Sequence, residues 1–126
     1  PVDPDGVNYG FGHLQLSAYD LVKLGTLYLC DGKWHGRQIV PRDYVAEATR
    51  VQVRGGPPEG LPYGFLWWID DHLAPRRFLA AGYAGQFVLV VPADDLVVVG
   101  TGDASRLSPS WTSAWHLAAT LASTEK

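Results

Sequence analysis

The amino-acid sequence predicts an α+β fold in which an antiparallel β-meander is covered by a C-terminal helix and preceded by two short helices. Apolar side chains recur at helical spacing between residues 18 and 50. Four runs rich in β-branched and aromatic residues follow between residues 63 and 101, separated by short turns. Short connections make successive strands antiparallel neighbours. Helices and strands that occupy separate parts of a chain are typical of α+β folds.

The composition is that of a globular protein and argues against several functional classes. The chain has 126 residues, enough for one domain or a large piece of one. Its 10 basic and 13 acidic residues are scattered, so we expect no nucleic-acid partner. A single cysteine excludes an internal disulfide and a cysteine-built zinc site. No apolar run approaches the ~20 residues that span a bilayer. The lack of a signal peptide and of any methionine suggests an excised piece and indicates no compartment.

The first helix is predicted over residues 18–30, after an extended loop over residues 1–12 that is rich in Pro, Asp and Gly. Ser17 is a suitable N-cap, and Asp20 three residues later gives a capping-box-like arrangement. Leucines follow at helical spacing, and Gly32 lies just beyond the predicted end.

The second helix is predicted over residues 43–50, after a turn and a short strand within residues 31–40. Pro41 suits the first position of this helix, because the N–H that proline lacks would have no helical partner there. Residues 55–62 (GGPPEGLP) are predicted to be a loop, since glycine and proline disrupt regular elements.

Strands are predicted over residues 63–69, 78–83, 86–91 and 96–101, with a turn over residues 92–95. The last two strands are apolar at consecutive positions, which is typical of strands that are buried on both faces.

A final helix is predicted near the C-terminus, capped by Ser108 or Ser110. Its apolar face is predicted to contain Trp111, Trp115, Ala118 and either Leu121 or Ala122. This helix would cover one face of the sheet, and the two earlier helices are too short to cover the whole of the other. The sequence therefore predicts an incomplete fold with an uncovered apolar sheet face and an exposed sheet edge.

Four segments, in order and with similar spacing, resemble the β-lactamase-like, penicillin-recognising serine hydrolases. They are residues 12–25 (GHLQLSAYDLVKLG), 29–41 (LCDGKWHGRQIVP), 63–68 (YGFLWW) and 82–99, which contains GYAGQF, VP and LVVV. The resemblance is nearest to the branch of esterases, class C β-lactamases and nylon-oligomer hydrolases.

The resemblance implies that residues 1–126 form the C-terminal part of such a domain, a partial β-lactamase/transpeptidase-like fold. Residues 1–62 would be a remnant of the helical subdomain. Residues 63–126 would supply the sheet and the C-terminal helix.

Acyl-enzyme chemistry is what the resemblance implies for function. In this family a Ser-x-x-Lys helix supplies the nucleophile and its lysine base. A Lys/His-Thr-Gly-type triplet on a strand forms one wall of the site, and the amide after its glycine is half of the oxyanion hole. By resemblance the triplet falls at Ala80, Ala81 and Gly82, with Tyr83 giving the oxyanion amide. The alternative register places the triplet at residues 83–85 and uses the amide of Gln86.

Key family groups are missing from this sequence. Both registers lack the Lys or His of the triplet, which argues against recognition of a penicillin-type carboxylate. Tyr-x-Asn and Gly-x-Ser-x-Gly are absent. The one Ser-x-x-Lys starts at Ser123, where a chain end cannot hold a nucleophile against its base. We therefore assign no catalytic residue and expect the chain to be inactive alone.

Two aromatic residues and one glycine are further candidates for the substrate cleft. Trp67 and Trp68 are adjacent on a predicted strand and should face opposite sides of the sheet, one in the core against the C-terminal helix and the other in the cleft. Gly82 either lets a substrate approach the backbone or marks a β-bulge.

Other reactive side chains have structural explanations. Cys30, near the end of the first helix, is expected to pack. The aspartate pairs at residues 70–71 and 94–95 are expected to be solvated in turns. The four histidines show no metal-ligand spacing, so we expect no metal and no cofactor.

Two hypotheses of function remain. In the first, the chain is the C-terminal portion of a serine hydrolase that acts on a small-molecule acyl substrate (an ester, amide or β-lactam) and needs a missing N-terminal segment. In the second, it is a non-catalytic module for binding or self-association as a homo-oligomer, because an exposed sheet edge and an uncovered apolar face invite a partner. A fold alone does not fix the substrate.

Overall fold

A computed structural model of the chain describes residues 2–9, 12, 14–71, 76–103, 105, 116, 118 and 120. These residues form an α+β fold with antiparallel sheets, as the sequence predicts. In chain order the elements are helix α1 (Ala18–Leu29), strands β1 (Lys33–Trp34) and β2 (Arg37–Gln38), helix α2 (Arg42–Ala48), and strands β3 (Val53–Gly56), β4 (Leu61–Tyr63), β5 (Trp68–Asp70), β6 (Arg77–Gly82), β7 (Gln86–Val91) and β8 (Leu96–Gly100). Within this described part of the chain, no helix has the length and apolar character needed to cross a membrane.

Helix α1 begins and ends almost where the sequence predicts. The Ser17 hydroxyl oxygen accepts the Asp20 N–H at 3.2 Å, and the hydroxyl donates to the Asp20 carboxylate at 2.8 Å. The predicted N-cap is therefore confirmed. At the other end, Gly32 has a φ of +81° and its N–H donates to the Leu27 carbonyl at 2.7 Å. Cys30 is exposed at this end, so its predicted packing is wrong.

Between the helices, β1 and β2 pair as a short antiparallel hairpin, where a single short strand was predicted. Helix α2 then covers Arg42–Ala48, with Pro41 as its N-cap rather than its first helical residue.

The main sheet has six strands in sequential order from β3 to β8, more than the three or four that the sequence predicts. The additional strands lie in the segment that was predicted as a loop over residues 55–62. Val53 pairs with Tyr63 and Gly56 pairs with Leu61, with a register shift between the two pairs. Gly55, at a φ of +72°, accommodates this shift, because a Cβ there would lie 1.7 Å from the Leu61 carbonyl oxygen.

The predicted strand over residues 63–69 is interrupted by a tight turn between β4 and β5. The Gly64 N–H donates to the Trp67 carbonyl at 2.8 Å, which closes the turn. The Phe65 N–H donates to the carbonyl of Ala48 at 2.9 Å and ties the turn to α2. Leu66, between them, has a φ of +65°.

Both faces of the sheet are covered, so the predicted uncovered face is wrong. Helix α1 packs on β7 and β8, where Gly25 permits close approach: a Cβ there would lie 2.5 Å from Val97 Cγ1. The buried core on the α1 side contains Ala48, Trp67, Ile69, Phe78, Val88 and Val90. The buried core on the opposite side contains Leu79, Phe87, Leu89, Val91 and Ala118. This alternation accounts for the consecutive apolar residues of β7.

The predicted C-terminal helix lies mostly outside the described residues. Its described members His116, Ala118 and Thr120 are helical, and the Thr120 hydroxyl donates to the His116 carbonyl at 2.8 Å. Ala118 is fully buried on the sheet face that this helix was predicted to cover. The other predicted residues of this segment, Ser108, Ser110, Trp111, Trp115, Leu121, Ala122 and Ser123, are not among the described residues.

The sequence predicts that Asp70 is solvated in a turn, and this prediction is wrong. It lies on β5, is only 3% exposed, and pairs with Arg77 across the sheet. The Arg77 guanidinium donates to Asp70 Oδ2 at 2.7 Å from Nη2 and at 3.2 Å from Nε. Burial of this carboxylate is therefore compensated by a charge-assisted pair.

Candidate functional site

An open groove of about 1500 Å³ lies at the end of the sheet where β6 turns into β7. Three parts of the chain form its walls: the facing ends of β6 and β7, the turn between β4 and β5, and the N-terminal loop with the start of α1. The meander brings the first two walls together, because β4, β5, β6 and β7 are successive neighbours in the sheet.

Six of the seven residues proposed from the sequence line this groove: Trp68, Ala80, Ala81, Gly82, Tyr83 and Gln86. Trp67 does not. Its ring is buried against the rings of Tyr28, at a centroid distance of 4.7 Å, and Phe78, at 5.1 Å. The two tryptophans belong to opposite faces of the sheet, as predicted, and Trp68 is the one at the groove. The predicted packing of the core tryptophan against the C-terminal helix is wrong, because Trp67 lies in the core on the α1 side, and Ala118 belongs to the cluster that Trp68 joins.

The turn between β6 and β7 is held in a specific shape. Tyr83–Gly85 form one turn of 3-10 helix, in which the buried Ala84 has a φ of +67° and Gly85 has a φ of +77°. Gly102 packs on this turn, because a Cβ there would lie 1.7 Å from the Ala84 carbonyl oxygen. The candidate oxyanion amides, those of Tyr83 and Gln86, flank the turn. The Tyr83 side chain is 74% exposed.

Gly82 does not mark a β-bulge. It has extended backbone, with a φ of −124°, and pairs with Gln86 in unbroken register at the end of β6. A Cβ at Gly82 would meet its nearest atoms, in Gln86, at 3.6 and 3.7 Å, which is ordinary van der Waals contact. Packing within the described chain therefore does not require glycine here, and close approach of a substrate to this backbone stays a prediction.

Sequence reasoning missed several groove residues, which include Asn8, Tyr9, Leu14, Leu16, Tyr63 and Leu66. Tyr63 stacks at a tilt against Trp68, with ring centroids 4.6 Å apart. Burial raises the pKa of the Tyr63 phenol above its usual value, so the group is a neutral donor at ordinary pH. The aromatic run YGFLWW was the available signal for Tyr63 and Leu66. The N-terminal loop contains no sequence motif that would have identified its groove residues.

Leu66 is an apolar side chain in an unusual backbone conformation. It has a φ of +65° and is 55% exposed. A bulky non-glycine residue in the left-handed region costs free energy, and such residues concentrate at functional sites. Ala84, on the β6–β7 turn next to the groove, is a second non-glycine residue in this region.

The described lining of the groove carries no formal charge. None of its described residues is Asp, Glu, Lys, Arg or His, and none is Ser, Thr or Cys. Its polar side-chain groups are the amides of Asn8, Gln15 and Gln86, the phenols of Tyr9, Tyr63 and Tyr83, and the indole N–H of Trp68. These groups can bind and orient a neutral ligand but offer no nucleophile with a base beside it. Over the described residues, no group of three His, Cys, Asp or Glu side chains is placed to hold a metal ion.

Comparison with known proteins gives one informative relative. No protein-family model matches the chain. Over 98 residues the chain is 32% identical to an uncharacterized protein of Alkalihalophilus pseudofirmus. The aligned part covers 69% of this chain and 29% of that protein, so the chain spans less than a third of its relative's length. A sequence of this kind thus occurs as one part of a longer polypeptide.

Proposed function

We propose that the chain is the C-terminal portion of a serine hydrolase of the β-lactamase-like superfamily, nearest to its esterase, class C β-lactamase and nylon-oligomer hydrolase branch. In this proposal the chain supplies the oxyanion strand at Ala80, Ala81 and Gly82, and the nucleophile and its base come from a segment that precedes it. The chain by itself is inactive on esters, amides and β-lactams.

The observation that carries the proposal is that six candidate residues line one groove whose described lining has no nucleophilic side chain. A strand end next to a glycine that packing does not require is a suitable wall for a reacting carbonyl group. The described lining contains no Ser, Cys or Lys. In this proposal the nucleophile and its base therefore come from outside the described groove walls. A relative about three times longer is consistent with such a supply.

Within this proposal the β6–β7 turn sets the geometry of the oxyanion hole. Gly82 lets the substrate approach the strand, and the Tyr83 amide points its N–H at the developing negative charge. Preorganised donors of this kind are worth roughly 3–4 kcal/mol of transition-state stabilisation in related chemistry. The packing of Gly102 on the Ala84 carbonyl keeps the turn in place.

The first experiment is intact-mass analysis of the purified chain after treatment with a fluorophosphonate probe, with turnover of p-nitrophenyl acetate followed in parallel. We expect no adduct and no saturable turnover, because the described lining contains no serine. A stoichiometric adduct would contradict the proposal. The Ser123→Ala variant would then show whether the terminal Ser-x-x-Lys is responsible.

The complementary experiment uses the full-length Alkalihalophilus pseudofirmus relative. We expect one fluorophosphonate adduct on a serine outside the 98 residues that align with this chain. Heat-denatured protein is the control for non-specific labelling. Absence of labelling, or an adduct within the aligned part, would count against a nucleophile supplied by a segment outside this chain.

A module for binding or self-association is the second candidate function. Exposed apolar side chains at the groove, among them Tyr9, Leu14, Leu66 and Tyr83, favour it. Sedimentation velocity over a range of protein concentrations tests self-association. A strictly monomeric chain would argue against it, and a dimer that Leu66→Asn disrupts would support it.

A further inference from the structure

We draw no further inference here: the strongest candidate, the apolar edge that β8 (Leu96–Gly100) presents beyond its pairing with β7, carries none, because nothing in the described part of the chain shows what covers it.

Discussion

At the scale of single residues, two glycines at the β6–β7 turn have opposite structural roles. A Cβ at Gly102 would lie 1.7 Å from a backbone carbonyl oxygen, and a Cβ at Gly82 would come no closer than 3.6 Å to any neighbour. Neither has a positive φ, so space rather than backbone conformation separates them. Gly102 is required by packing and Gly82 is not.

We expect Gly102→Ala to lower the free energy of unfolding by about 1–3 kcal/mol, because the turn or the chain after β8 must shift. Gly82→Ala should leave that free energy unchanged or raise it by up to about 1 kcal/mol, through restriction of the unfolded chain. Urea unfolding of both variants measures the difference. Equal losses in the two would show that the space at Gly82 is occupied.

The Asp70–Arg77 pair gives a second prediction at this scale. Asp70→Asn removes the carboxylate charge beside the Arg77 guanidinium, which is only 14% exposed, so we expect a loss of about 3 kcal/mol in the free energy of unfolding. The control is Arg42→Gln, which breaks the exposed pair with Asp31 and should cost at most about 1 kcal/mol. Urea denaturation at neutral pH compares the two. Similar losses would mean that solvent screens the β5–β6 pair as well.

At the scale of elements, the start of α1 couples helix stability to pH. The pKa of Asp20 is lowered, first by its hydrogen bond with Lys23 and then by that with Ser17. Because the folded-state pKa lies below the unfolded value, this contribution to stability is present above the usual value of 3.8 and is lost as the pH falls through the folded-state pKa.

Ser17→Ala should therefore have two effects. It removes the N-cap and lowers the free energy of unfolding at neutral pH by about 1 kcal/mol. It also moves the titration midpoint of the Asp20 carboxyl upward, towards 3.8, as ¹³C NMR would measure. Ser17→Thr keeps the hydroxyl and is the control. An unchanged midpoint in Ser17→Ala would assign the pKa shift to Lys23 alone.

The elements that sequence reasoning placed correctly are those with strong local signals. Helix α1 has a cap and a helical period, and β6 to β8 have β-branched runs with short turns. The strands β3 and β4 were missed because the Gly and Pro residues between them predict a loop. The two segments form strands because they pair with each other across that turn. The turn at Leu66 was missed for a similar reason, since the hydrogen bond from Phe65 to Ala48 depends on tertiary structure.

Sequence reasoning named the groove residues near the turn and missed those on its other walls. Gly82, Tyr83 and Gln86 lie within a few residues of each other, so a local motif sufficed to find them. The contribution of Tyr9 and Leu14 depends on where the N-terminal loop crosses the sheet, and no local pattern encodes that path. The ion pair of Asp70 was likewise hidden, because its partner Arg77 lies on the next strand.

At the scale of the whole molecule, several exposed apolar side chains lie together at the groove, among them Tyr9, Leu14 and Tyr83. Leu66 is 55% exposed at the groove, and Val53 is 58% exposed on β3, away from it. We expect native protein to bind the neutral dye Nile red at the groove, because clustered apolar surface rather than single exposed residues creates a binding site.

Leu66→Asn should strongly reduce the Nile red fluorescence, and Val53→Asn should change it little. Leu66→Asn should also preserve stability, because asparagine tolerates a positive φ better than leucine does. Fluorescence titration of both variants, with urea unfolding beside it, measures the two effects. An equal reduction in both variants would place the dye elsewhere.

The sequential strand order has a consequence for the chain as it leaves the ribosome. Every strand from β4 to β8 pairs with the strand made just before it, so the sheet can grow as synthesis proceeds. Helix α1 is the exception: its docking surface on β7 and β8 is completed about 70 residues after the helix itself. At a synthesis rate of about 5–20 residues per second, the nascent helix stays undocked for roughly 4–14 s, with its apolar face exposed to solvent. That interval is when a chaperone, or a neighbouring nascent chain, has its best access to this protein.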